Sequence, residues 1–154
     1  MEDKLKVGDI APEFNLYDQN NKLISLSSFI GKKLILYFYP KDSTPGCTAE
    51  ACNLRDNYAI LMKQGFEIIG VSPDSLKKHE NFSTKNQLPF SILSDEKKEV
   101  IKAYGVWGQK KFMGKEYMGV LRTTFVINEK GVIDKVFEKV KTKDHSNQIL
   151  ESYN

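Results

Sequence analysis

The sequence predicts an α/β protein, a mixed central sheet flanked by helices, and three observations carry that reading. Two continuously apolar runs, 34–38 and 66–71, are each followed by a segment with helical spacing. Strands buried on both faces read this way, and strands alternating with helices build parallel βαβ units. Near the C-terminus, Thr123–Ile127 and 132–137 flank Asn128-Glu129-Lys130-Gly131, a hairpin signal that adds antiparallel pairing. At the other end, Phe14-Asn15-Leu16-Tyr17-Asp18 and Leu23-Ile24-Ser25-Leu26 alternate around Gln19-Asn20-Asn21, which predicts an N-terminal β-hairpin extension.

The remaining elements follow in order. Residues 27–30, closed by Gly31, make one helical turn. Ala51, Leu54, Tyr58, Leu61 and Met62 recur at helical spacing to about Gln64, and Gly65 stops that helix. Ser72-Pro73-Asp74 reads as a helix start, a cap followed by proline at the first helical position. Leu76, His79 and Phe82 lie on one side of that helix. Residues 88–93 turn into a short extended piece. Ser94-Asp95 caps a helix carrying Val100, Ile101 and Tyr104 and ended by Gly105. Residues 106–119 read as a loop or loose ribbon, with Trp107, Phe112 and Tyr117 as packing groups and Met113 and Met118 as fillers. Asp144 caps a last helix through Ile149 and Leu150. The order is β-β-β-α-β-α-β-α-β-β-α, without repeat, linker or low-complexity tract, so residues 1–154 are expected to form a single domain.

Composition narrows the function. The 154 residues are enough for a real core, and the net charge is only +3. The lysines are scattered, and no aromatic–basic stripe points to nucleic acid. Met1-Glu2-Asp3-Lys4-Leu5-Lys6 has no apolar signal core, and no stretch is long enough to span a bilayer, so a cytoplasmic protein without membrane contact is expected. In that compartment thiols are kept reduced, and a lone cysteine pair is more often reactive than structural.

Both cysteines lie where the first buried strand gives way to a helix, in Tyr39-Pro40-Lys41-Asp42-Ser43-Thr44-Pro45-Gly46-Cys47-Thr48-Ala49-Glu50-Ala51-Cys52. A helix start carries partial positive charge and favours thiolate, the nucleophilic form. Counted as a helix, Cys47 shares the buried stripe of Ala51, Leu54 and Tyr58, while Cys52 lines up with Arg55, Asp56 and Ala59 on a wetter face. Five residues turn the helix by roughly 500° and raise it about 7.5 Å, so the sulfurs point about 140° apart. A disulfide needs α-carbons about 4.4–6.8 Å apart with facing β-carbons. The two cysteines therefore either never pair or pair only after the first turns unwind. Two thiolates are too few for a closed zinc sphere, and neither His79 nor His145 is near the thiol in sequence.

The neighbours suit a small polar oxidant. Thr44 offers a hydroxyl that donates and accepts, or serves as a helix cap. Pro40 and Pro45 hold the loop and exclude water, and Gly46 admits close approach. Arg122, one of only two arginines with Arg55, stands before a β-branched strand and is the best candidate for a cation beside the sulfur. Glu50 suits either support of Arg122 or a favourable acid in a first helical turn.

Pro40-x-x-x-Thr44-x-x-Cys47 with Arg122 resembles the peroxiredoxin active-site pattern. Thr44-Pro45-Gly46-Cys47-Thr48-Ala49-Glu50-Ala51-Cys52 is similar to the bacterioferritin comigratory protein, or peroxiredoxin Q, branch. The likeness spans nearly the whole chain, through Tyr104-Gly105-Val106-Trp107, Arg122-Thr123-Thr124-Phe125-Val126-Ile127 and His145. It implies a thioredoxin-like fold and a thiol peroxidase in antioxidant defence and redox homeostasis. Cys47 would attack hydrogen peroxide or an organic hydroperoxide and become a sulfenic acid. Thr44 and Arg122 would align the peroxide, and Pro40 would shield the product. Cys52 would resolve it as a Cys47–Cys52 disulfide, recycled by thioredoxin or a similar dithiol reductant. The resemblance implies no metal, haem or flavin and a branch that is mostly monomeric. Two other functions compete on the same fold: a dithiol–disulfide exchanger, whose cysteines are ordinarily separated by two residues rather than four, and a redox sensor whose signal is helix melting. Peroxide consumption in a single turnover separates them.

Overall fold

The computed structural model describes residues 5–154; residues 1–4, the start of the segment read as lacking a signal core, lie outside them. A five-stranded sheet holds the centre. Its strands are β3 (Lys33–Phe38), β4 (Phe66–Ser72), β5 (Ser91–Ser94), β8 (Thr123–Ile127) and β9 (Ile133–Phe137), in the order β5-β4-β3-β8-β9. β3, β4 and β5 run parallel, whereas β8 and β9 join antiparallel, so the sheet is mixed as expected. With helices on this sheet, the architecture is the thioredoxin fold of the solved relatives described below.

β3 shows why its run is uninterruptedly apolar. Leu34, Leu36 and Phe38 enter one core cluster with Ile69, Val71, Phe125 and Ile127. Ile35, Tyr37 and Tyr39 enter the other with Cys47, Ala51 and Leu54. Alternate residues of a strand point to opposite faces, and here both faces are covered. Helices α1 (Pro45–Asp56), α2 (Tyr58–Lys63), α3 (Leu76–Asn86) and α5 (His145–Glu151) contribute to the second cluster, and α4 (Glu99–Ala103) to the first. The N-terminal hairpin, β1 (Asn15–Tyr17) and β2 (Leu23–Ser25), leads into a single 3-10 turn, Leu26–Phe29.

Three expectations are corrected. The helix after the cysteines does not run unbroken to Gln64: it stops at Asn57, whose side-chain amide donates to the Asn53 carbonyl at 2.9 Å, and α2 restarts the chain. Short polar side chains compete for helix carbonyls in this way. Ser72-Pro73-Asp74 is not a helix start. Ser72 ends β4, and Ser75 caps α3 by accepting from the Lys78 N–H at 3.3 Å. Residues 106–119 hold a regular hairpin, β6 (Trp107–Phe112) with β7 (Lys115–Val120), turning through Met113 and Gly114 at φ 52° and 81°. Positive φ at both central residues is the turn that matches strand twist. Phe112 is 66% exposed at its tip rather than packed, while Trp107 packs against the core.

Candidate active site

The strand–helix junction is built from its sequence upward. Ser43, just before the N-cap of α1, adopts left-handed backbone (φ 63°), costing about 1–2 kcal/mol for an L-residue. Thr44 follows as the extended N-cap of α1, with Pro45 at the first helical position. Its hydroxyl does not cap the helix but donates to the Lys41 carbonyl at 2.8 Å, bracing the loop. Asp42 anchors the same loop from below. Its carboxylate accepts from the Tyr39 hydroxyl at 2.6 Å and lies 2.6 Å from His79 Nδ1, and its N–H donates to Asp74 Oδ2 at 2.6 Å. His79 Nε2 reaches the Leu93 carbonyl at 3.0 Å, so both ring nitrogens are engaged. This buried network is the role of Asp74, which the sequence reading placed in a helix start, and of His79, which it placed on one side of the next helix.

Cys47 occupies the third position of α1 and is buried. The first N–H groups of a helix have no partner within it, and that end of the helix carries partial positive charge. Arg122, arriving just before β8, donates from Nη2 to Cys47 Sγ at 3.2 Å and from Nη1 to Glu50 Oε1 at 2.7 Å. Burial alone would lower the guanidinium pKa, but Cys47 and Glu50 outweigh it and leave it raised, so the group stays charged. A Cβ at Gly46 would stand 3.2 Å from Arg122 Nη2, which explains the glycine. A cleft of about 510 Å³ opens above the pair, lined by Pro40, Thr44, Gly46, Trp107, Lys110 and Arg122 among others. The structure thus brings Pro40, Thr44, Cys47 and Arg122 to one site.

Cys52 is apart from them. It is half-buried, both cysteines are free thiols, and its sulfur lies 3.6 Å from Asn86 Oδ1 on α3. The neighbouring Asn53 is pinned to the start of α5. Its Oδ1 accepts from the Ser146 N–H at 2.7 Å and its amide donates to the Lys143 carbonyl at 3.1 Å. Arg55 Nη1 donates to the Asn86 carbonyl at 2.8 Å.

Sequence reasoning named His145 within the likeness but did not place it near the thiol. Far from Cys47 in the chain, it is fully buried, with Nε2 3.7 Å from Glu50 Oε2 and thus one residue removed from the arginine that holds the sulfur. No spacing rule links α1 to α5; the signals were the likeness and a histidine at a helix start. Glu50 itself is the support of Arg122, one of the two roles open to it.

Comparisons with known proteins agree with this geometry. Residues 7–136 match the AhpC/TSA family. The putative peroxiredoxin bcp of Buchnera aphidicola is 51% identical over 97% of this chain and 95% of its own. Peroxiredoxin Bcp of Escherichia coli K12 is 47% identical over 95% of this chain and 94% of its own. Among solved structures, a cysteine-to-serine mutant of Xylella fastidiosa PrxQ superposes with a TM-score of 0.91 at 28% identity, covering 98% of this chain and 96% of the other. The chain belongs to the AhpC/TSA family, with the peroxiredoxins Bcp and PrxQ as its relatives.

Proposed function

We propose that Cys47 is the sulfur at which this thiol-dependent peroxidase reduces its substrate, and that Cys52 resolves the product. The observation that carries this reading is the 3.2 Å approach of a charged arginine to a buried sulfur at a helix start, beneath an open cleft. The thiolate attacks the peroxide oxygen nearest it and the O–O bond breaks. The departing oxygen takes up a proton and leaves as water or alcohol, and Cys47 becomes a sulfenic acid. Arg122 is placed to stabilise charge moving onto the leaving oxygen, a contribution worth about 2.7–4 kcal/mol for one such donor elsewhere. Thr44 and Pro40 bound the approach. The Cys52 sulfur then displaces the hydroxyl as water, forming a disulfide that thioredoxin or a similar dithiol reduces by exchange.

The cleft admits more than hydrogen peroxide. Trp107, Tyr117 and Met118 give it an apolar wall, which supports organic hydroperoxides as substrates. The related Xanthomonas campestris bacterioferritin comigratory protein has alkyl peroxide reduction activity, at 34% identity over 90% of this chain and 88% of the other, with a TM-score of 0.84. Stopped-flow mixing of the reduced protein with hydrogen peroxide, followed by the mass of the product, tests the scheme. Cys47→Ser is expected to remove the fast reaction, and a retained fast phase would reassign the nucleophile.

A further inference from the structure

One peptide unit of the active-site loop is gripped at both ends. The Asp42 N–H donates to Asp74 Oδ2 at 2.6 Å, and the Lys41 carbonyl, the other end of the same planar amide, accepts from the Thr44 hydroxyl at 2.8 Å. Asp74 is buried in the segment between β4 and α3, 32 residues along the chain from Asp42. Its own position is fixed. Oδ2 also accepts from the Ser72 hydroxyl at 3.2 Å, the Asp74 N–H donates to Ser72 Oγ at 3.1 Å, and the Asp74 carbonyl accepts from the Ser94 hydroxyl at 2.6 Å. The Asp42 side chain is braced separately, by Tyr39 and His79.

This grip decides the polarity of a hydroxyl that lines the cleft. A threonine hydroxyl has one hydrogen and two lone pairs. A carbonyl oxygen only accepts, so the Thr44 hydrogen is committed to Lys41, and the hydroxyl offers nothing but lone pairs elsewhere. Turning the Lys41–Asp42 amide over would exchange its ends. The carbonyl would then confront Asp74 Oδ2, acceptor against acceptor in a buried place. The N–H would face Thr44, occupy a lone pair and free the hydroxyl hydrogen to point elsewhere. Such a reversal gives up the bond to Asp74 and leaves buried polar atoms unpaired, which is costly. A hydroperoxide carries an O–H to donate, and the observed orientation is the one that receives it. Thr44 then supplies an acceptor to the cleft that Arg122 supplies with donors.

We propose that Asp74 is a positioning residue for peroxide reduction: by fixing the orientation of the Lys41–Asp42 amide, it keeps the Thr44 hydroxyl an acceptor toward the O–H of the substrate. Asp74 does not line the cleft and reaches it through one amide and one hydroxyl. Its effect therefore passes through Thr44. The consequence for turnover depends on the peroxidatic reading of Cys47, whereas the held amide does not.

Two reactions of Cys47 separate this role from simple support of the fold. Alkylation by iodoacetamide, read by peptide mass, needs the thiolate but no aligned hydroperoxide. Reaction with hydrogen peroxide, followed by stopped-flow, needs both. Asp74→Ala is expected to slow the peroxide reaction about tenfold or more and to leave alkylation unchanged, and Thr44→Val is expected to show the same split. Asp74→Asn keeps an oxygen to accept from Asp42 and should stay close to the native rate. The double variant Asp74→Ala/Thr44→Val should be no slower than Thr44→Val alone, because the first change has lost its intermediary. Additive slowing in the double variant, slowing of both reactions by Asp74→Ala, or no slowing at all overturns the proposal. The native reduced protein supplies a reading that needs no variant. The Asp42 amide proton, in so short a bond to a carboxyl oxygen, is expected far downfield and slow to exchange with solvent. An ordinary shift with free exchange overturns the proposal as well. A native chain inert to hydrogen peroxide, with the Asp42 amide as expected, would remove the peroxidatic reading and the role of Asp74 in turnover with it, while the held amide would stand.

Discussion

The two halves of α1 are held in opposite ways. The first half, with Cys47 and Glu50, packs into the core but is hydrogen-bonded to the sheet side through one arginine, and its entry is a left-handed serine followed by threonine, proline and glycine. The second half, with Asn53 and Arg55, is tied by backbone-directed hydrogen bonds to α5 and α3. When Cys47 becomes a sulfenic acid, the thiolate that Arg122 held is gone, whereas nothing at Asn53 changes. The half with fewer hydrogen bonds to hold it is therefore the one that carries Cys47, the proposed peroxidatic sulfur, and Cys52, next to the pin, would be the stationary partner. This matches the expectation that pairing requires the first turns to unwind.

Removing the stationary sulfur gives the sharpest contrast. Cys52→Ser is expected to react with peroxide at the native rate but to stop at a sulfenic acid, abolishing turnover with a thioredoxin-type reductant. It should also abolish the loss of far-ultraviolet helix signal that oxidation is expected to cause in the native chain. Unchanged steady-state turnover would give the resolving role to another thiol. Next in size is Arg122→Ala, which should slow the first step about 10²–10³-fold, by stopped-flow, without blocking the disulfide that follows.

Titration sharpens the comparison further, because Glu50 lies in the first half and His145 in the helix to which the second half is tied. A carboxyl raised from 4.5 to about 7 gives stability that is present below pH 4.5 and lost as pH rises through 7. A ring lowered from 6.5 to about 4 gives stability that is present above pH 6.5 and lost as pH falls through 4. Each amounts to about 3 kcal/mol, and over the shared range they oppose, since the folded chain holds an extra proton at Glu50 and lacks one at His145. The native chain should therefore show a nearly flat melting temperature between about pH 5 and 6.5. His145→Phe should lose stability on going up through that range, and Glu50→Gln should gain it. Parallel slopes in the two variants would contradict the cancellation. The smallest effect belongs to the pinned half: Asn53→Ala should cost about 1–3 kcal/mol in chemical denaturation by leaving the Ser146 N–H unpaired, with the first-step rate unchanged.

Much of this was legible before any coordinates. The apolar run of β3 announced a strand covered on both faces, because burial on two sides leaves no polar position in a period of two. The Asn128-Glu129-Lys130-Gly131 turn announced β8 and β9. The spacing of Pro40, Thr44 and Cys47 carries its own chemistry, since it is the local geometry of one loop and one helix start. Where the reading failed, a side chain outcompeted the periodic pattern, as Asn57 did at the end of α1, or polar strands hid, as in β6 with Gly108, Gln109, Lys110 and Lys111.

The sequence by itself determined the strand–helix alternation, the thiol at a helix start and the impossibility of a disulfide across an intact helix, because each depends on neighbours within a turn or two. Only the tertiary structure decided that Arg122 faces Cys47, that Glu50 lies between that arginine and His145, and that Asp42 is locked to His79. Those contacts join elements separated by tens of residues. Their partners are chosen by which faces the sheet and helices bury together, a choice that no local periodicity encodes.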